Sequence, residues 1–144
     1  MKKRYALYGS SLLSIALFLG ACGDNEEMEN APSADDAQSE FGFQAFDLDI
    51  DTAEHKDAID ASFDIDVSET EAEYENKSES KKLVGDEAYE ALKPIFKDLA
   101  LTKDLNKEET IEKVSKAFGV EDYTEFELEI EFSDGDTQEF TDRK

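Results

Sequence analysis

Three stretches of the chain alternate between apolar and acidic residues. Phe46-Asp47-Leu48-Asp49-Ile50-Asp51, Phe63-Asp64-Ile65-Asp66-Val67 and Phe126-Glu127-Leu128-Glu129-Ile130-Glu131-Phe132 all repeat with period two. That is the spacing of a strand with one buried and one wet face. The second pattern starts near Ala58 and extends toward Asn76, but its inward parity shifts from odd (Ile59, Ala61, Phe63, Ile65, Val67) to even (Thr70, Ala72, Tyr74). A one-residue slip would turn side chains to the wrong face, so either a bulge in one strand or a turn between two is required near Ser68.

Two helices are predicted between the strands. From Asp86, residues Ala88, Leu92, Ile95, Phe96 and Leu99 share one helical face, with Gly85 and Asp86 as start signals. Pro94 lies inside this run and predicts a kink or a restart, because it lacks an N–H and crowds the carbonyl four residues back. The next helix has Asn106 as N-cap, Glu109 three residues later, Leu105 as a staple, a stripe of Ile111, Val114 and Phe118, and Gly119 as its end. For the final hairpin, a two-residue Asp134-Gly135 turn would set Phe140 opposite Glu129 on the acidic face. A three-residue Ser133-Asp134-Gly135 loop sets Phe140 opposite Leu128 on the apolar face, and is the one predicted. The fold class expected is α+β: a four-stranded antiparallel sheet in the order β-β-α-α-β-β with two helices packed on one face.

Composition adds location and excludes some functions. The chain has 144 residues, 15 Lys and Arg against 38 Asp and Glu, and a formal charge of −23. Such a chain does not hold nucleic acid by bulk electrostatics, which needs a basic surface. Its 39% hydrophobic residues suffice for one modest core. Lys2, Lys3 and Arg4 precede an apolar stretch from about Leu7 to Leu19 that is short for a membrane span and reads as a secretory signal. It ends in Leu19-Gly20-Ala21-Cys22, which resembles the bacterial lipobox, and Cys22 is the only cysteine. The expectation is a lipoprotein signal peptide over residues 1–21, an acidic disordered tether over 22–40 starting at the lipidated Cys22, and a folded domain over 41–144. Two acyl chains give stable anchoring where one is marginal, placing the protein on the extracytoplasmic face of the cell membrane. Covalent diacylglycerol is then the one attached group, with N-acylation of Cys22 left open and no other cofactor expected. Cleavage removes three bases and no acid, leaving −26 on 123 residues.

The lipobox, Tyr89-Glu90-Ala91-Leu92-Lys93-Pro94-Ile95-Phe96 and Glu125-Phe126-Glu127-Leu128-Glu129-Ile130-Glu131-Phe132-Ser133-Asp134-Gly135, together with the element order, resemble the YusW-like family of small bacterial surface lipoproteins over about residues 44 to 141. The resemblance implies the fold and a Gram-positive-type envelope. It implies no catalytic residues, since the family has no established activity.

Asp47-Leu48-Asp49-Ile50-Asp51 has the D-x-D-x-D opening of a calcium loop, but Thr52 stands where the loop needs Gly and Ala58 where it needs a bidentate Glu. No metal site is expected. His55, the only histidine, falls in a predicted turn, and a zinc site there would need three carboxylates beside it. There is no G-x-S-x-G nucleophile motif, and paired carboxylates hydrolyse glycosides only across a cleft. The chain is read as no enzyme, with Tyr74, Tyr89 and Tyr123 at the edge of the core.

What stands out is collective. Asp47, Asp49, Asp51, Asp60, Asp64, Asp66, Glu125, Glu127, Glu129 and Glu131 are predicted to project from the sheet face opposite the helices, whereas residues 86–118 are nearly balanced in charge. Three readings of this face stay open: a solvated surface that maintains solubility, a binding face for a cationic envelope protein or polycation, and weak capture of divalent ions such as calcium. The pattern leaves oligomeric state open.

Overall fold

The computed structural model describes residues 28–65 and 70–144; the expected signal segment, Cys22 and Asp66 lie outside them. In chain order the elements are α1 (Ala34–Phe41), β1 (Ala45–Thr52), β2 (Ile59–Ile65), β3 (Thr70–Asn76), a 3-10 turn (Lys77–Glu79), β4 (Lys81–Val84), α2 (Gly85–Leu99), α3 (Lys107–Ala117), β5 (Tyr123–Glu131) and β6 (Thr137–Arg143). The strands form one sheet in the order β4-β3-β2-β1-β5-β6, every neighbouring pair antiparallel.

The α+β class stands, but among the described residues the expected four strands and two helices are corrected to six and three. The stretch 58–76 is two strands. β2 and β3 pair antiparallel with Ile65 opposite Thr70, so the chain reverses between them, and a reversal rather than a bulge changes the inward parity. β4 escaped the pattern because it is four residues long and opens with two lysines; it forms through pairing with β3 rather than through alternation of its own.

Helix α1 lies in the segment expected to be a disordered tether up to residue 40. Its polar composition hides Ala37 and Phe41, an i,i+4 pair that is buried. The Ser33 side chain accepts from the Asp36 N–H at 3.2 Å, the cap that a serine before the first turn provides. Gly42 closes α1 with φ +88°, and a Cβ there would stand 2.9 Å from the Leu101 carbonyl oxygen, so only glycine fits. Folded structure reaches back to Met28, which is buried.

Two other local expectations hold, the cap of α3 and the last hairpin. Asn106 caps α3 by accepting from the Glu109 N–H at 2.9 Å. Phe140 faces Leu128, and the Phe132 N–H donates to the Asp136 carbonyl at 2.9 Å across Ser133-Asp134-Gly135, with Gly135 at φ +82°. α2 does not restart at Pro94. The carbonyl that loses its bond there belongs to Glu90, an exposed residue, while Leu92 and Phe96 remain fully buried on the opposite face.

The helices cover one face of the sheet, and Phe96 of α2 is the centre of what they bury. Its ring centroid is 5.5 Å from that of Phe41, 5.1 Å from Phe43, 4.9 Å from Phe46 and 5.4 Å from Phe63. Four rings from two stretches of chain, residues 41–46 and β2, therefore close on one side chain of α2. Phe43→Ala is expected to cost about 3–5 kcal/mol. A chain begun at Gln44, lacking α1, Phe41 and Phe43, should unfold at lower urea with a smaller m-value; equal urea midpoints for the two chains would show that the N-terminal segment is no part of the folding unit.

Candidate functional site

Because side chains alternate and the helices occupy one face, register decides what meets on the other. Across one row Lys82, Glu75, Asp60, Asp49, Glu127 and Thr141 follow one another from β4 to β6. The adjacent row reads Val84, Glu73, Ser62, Asp47, Glu129 and Glu139. Asp64 stands between Glu71 and Ala45, with Glu131 beyond, and Asp51 faces Glu125. All the predicted acids within the described residues therefore share this face; Asp66 lies outside them. Four were missed: Glu71, Glu73 and Glu75 of β3, and Glu139 of β6. The odd positions of the β3 acids, opposite in parity to Ala72 and Tyr74, carried the signal for three of them, and the hairpin register carried it for Glu139.

The only bases on the strands of this face sit at its two margins. Lys82 lies 3.5 Å from Glu75, and Arg143 pairs with Glu125. The central strands β2, β1 and β5 present no base. Four of their carboxylates, Asp47, Asp49, Asp60 and Glu129, are held above the ordinary range by desolvation and by acidic neighbours. Asp49 is pushed up to about 7, first by desolvation and then by Asp60, Asp57 and Asp51. Asp47 rises to about 6 through desolvation, then Asp60 and Glu129. Asp60 rises to about 6 through desolvation, then Glu73 and Glu75, with Lys82 opposing. Glu129 is raised by desolvation, by the charges of Glu139 and Glu131, and by a hydrogen bond with Glu139.

One local cluster differs from the sequence reading. Asp47, Asp49 and Asp51 do not form a loop. Instead the β1–β2 connection brings Asp57 to Asp49 and Asp51, with carboxylate oxygens within 4.8 Å of one another. The Asp57 N–H donates to Asp51 Oδ1 at 2.7 Å, Asp57 has φ +50°, and Lys77 Nζ stands 3.6 Å from its Oδ2. Three carboxylates offer about half the six to eight oxygens that calcium takes. His55 is an exposed turn residue whose N–H donates to Thr52 Oγ1 at 3.1 Å. Tyr74, Tyr89 and Tyr123 are buried at the margin of the core; Tyr89 stacks on Phe63 and the Tyr123 hydroxyl donates to Asp142 at 2.7 Å.

Two depressions mark the surface. One, of about 200 Å³, lies at the β2–β4 side among Asp57, Asp60, Glu73, Glu75, Lys77 and Lys82. The other, of about 590 Å³, lies between α1 and α2 beside Glu40, Tyr89 and Lys93. Among the described residues no helix is long and apolar enough to cross a membrane.

The raised carboxylates fix the sign of a pH effect. Between pH 4 and 7 the folded chain keeps protons that the unfolded chain has released, so stability is greatest at the acid end and falls as pH rises through 6 to 7. Below about pH 4 the opposite effect enters, since Lys103 holds Asp134 below the usual range. The melting temperature should therefore peak near pH 4, decline up to about pH 7 and level off above it. Asp49→Asn or Asp60→Asn should raise it at pH 8 by on the order of 5 °C and change it little at pH 4. A flat thermal-melt profile between pH 4 and 8 would contradict the desolvated, crowded state of these groups.

Comparison with curated proteins and with solved structures returned no match. A family model for YusW-like proteins matches residues 44–134, the span from the residue before β1 to the tip of the β5–β6 hairpin, and the chain belongs to the YusW-like family.

Proposed function

We propose that this protein is a non-catalytic binding module, anchored by Cys22 on the extracytoplasmic face of the cell membrane, whose acidic sheet face takes a cationic protein segment or polycation. One observation carries the reading: the three central strands present carboxylates without a base, while Lys82 and Arg143 stand only at the margins. A cationic partner would relieve the repulsion among Asp47, Asp49, Asp60 and Glu129 and be steered toward the face by its field. The rows are multivalent and run across neighbouring strands, which suits an extended basic segment better than a small substrate.

The anchoring part rests on Leu19-Gly20-Ala21-Cys22 following a basic and then apolar leader. Cys22→Ala should leave an unprocessed precursor or release the protein to the medium. Unchanged mass and membrane retention would remove the anchor from the reading.

Crosslinking in intact cells tests the binding part. A specific partner should be recovered with the native chain and lost when Asp47, Asp49, Glu127 and Glu129 are changed to their amides, with folding monitored by thermal melting. Capture that is indifferent to these four substitutions would refute it. The cluster of Asp49, Asp51 and Asp57 supports a second reading, weak binding of divalent cations such as calcium. Saturable calcium binding by calorimetry, abolished by Asp57→Asn, is its expected result; stabilisation by sodium chloride equal to that by calcium at matched ionic strength is the result against it.

A further inference from the structure

The chain joins its own fold six residues after Cys22. Met28 is 5% exposed and its N–H donates to the Thr70 carbonyl at 3.1 Å. The Asn30 N–H and side-chain amide both donate to the Asp86 carboxylate, at 3.2 and 3.1 Å, and Ser33 then caps α1. Only residues 23–27 separate this fastening from Cys22. Six residue steps span at most about 20 Å, whatever their conformation.

The fastening is at one end of the sheet. Thr70 pairs with Ile65, Asp64 with Ala45, Ala45 with Glu131, and Glu131 with Thr137, so this end also carries the β5–β6 hairpin. The hairpin is held there by the Ser133 N–H donating to Gln38 of α1 at 3.1 Å. At the other end stand the β1–β2 connection, His55 and the Asp49, Asp51 and Asp57 cluster. The two ends are separated by the eight residues of β1, about 25 Å.

On the reading that Cys22 is lipidated, we infer that the domain stands on the bilayer by the end bearing Thr70 and the β5–β6 hairpin, with the β1–β2 connection outermost. Anionic headgroups repel the carboxylate rows and keep that face turned off the lipid. The face then runs outward from the membrane, and none of it lies more than about 45 Å from the bilayer, the sum of tether and strand. Its occupant is a cationic segment held at the membrane, which a short tether presents to the face at high effective concentration. A stalk of 18 residues would have imposed no such limit.

Lipidation consumes the only native thiol, so Ser133→Cys and His55→Cys, both exposed positions, each accept a single dye. In vesicles of anionic lipid carrying acceptor lipid, the lipidated full chain should show roughly twofold or more stronger energy transfer from position 133 than from 55. A twenty-residue Gly-Ser insertion between Glu27 and Met28 should erase the difference. Equal transfer from the two positions in a chain that floats with the vesicles overturns the orientation while leaving the anchor intact. A chain that does not float and whose Cys22 thiol reacts freely overturns the anchoring reading, and this inference with it.

Discussion

A sheet covered by helices on one side only must sort its residues by parity, and everything else in this protein follows from that sorting. Each strand that buries Phe, Leu or Ile on the helix side turns its alternate residues to solvent, and in this chain those alternates are acids. β1 is the centre of the sheet, bonded on both edges to β2 and β5, so Asp49 has Asp60 on one side and Glu127 on the other. The pairing that closes the core around Phe96 is thus the pairing that crowds the carboxylates. Two such charges about 5 Å apart repel by roughly 0.8 kcal/mol in water-like surroundings, a cost the fold bears through its apolar face and disperses by holding protons on Asp47, Asp49 and Asp60 at higher pH than an isolated Asp does.

Charge and packing are consequently coupled. Lys82 and Arg143 neutralise the margins, where the edge strands would otherwise be open to further strand pairing, while β2, β1 and β5 carry no base of their own. In the proposed binding reading, such a surface discriminates by charge density and geometry rather than by enclosing a ligand, and its interactions weaken as salt rises. The N-terminal segment has a double part in this arrangement. Phe41 and Phe43 complete the aromatic cluster, and Met28, Asn30 and Ser33 fasten the chain to one end of the sheet. Folding of this segment therefore decides how far the acidic face can stand from Cys22.

Much of the fold was legible because its signals are local. Asn106 and Glu109 are three residues apart, and the tip of the last hairpin is set by Gly135. The parity of Phe46 to Asp51 is a property of consecutive residues. Each depends on dihedral preferences and short hydrogen bonds that a few neighbours settle. α1 was not legible, since its apolar content is an Ala and a Phe four residues apart in an acidic stretch, and what makes it a helix with a place is contact with Phe63, Tyr89 and Phe96. β4 is too short to show a period, and the helix runs on through Pro94 without a restart, because Glu90, whose carbonyl it frees, is exposed while Leu92 and Phe96 are held in the core.

The sequence by itself determined which face each strand residue takes, and hence that a row of carboxylates exists, because side-chain parity along a strand is a local consequence of the extended backbone. Tertiary structure decided who stands beside whom: Asp60 and Glu127 flank Asp49, β3 and β6 add Glu71, Glu73, Glu75 and Glu139, and Asp57 joins Asp49 and Asp51. Those neighbours come from strand order and register between segments up to about eighty residues apart, and only burial of a common core fixes such pairings.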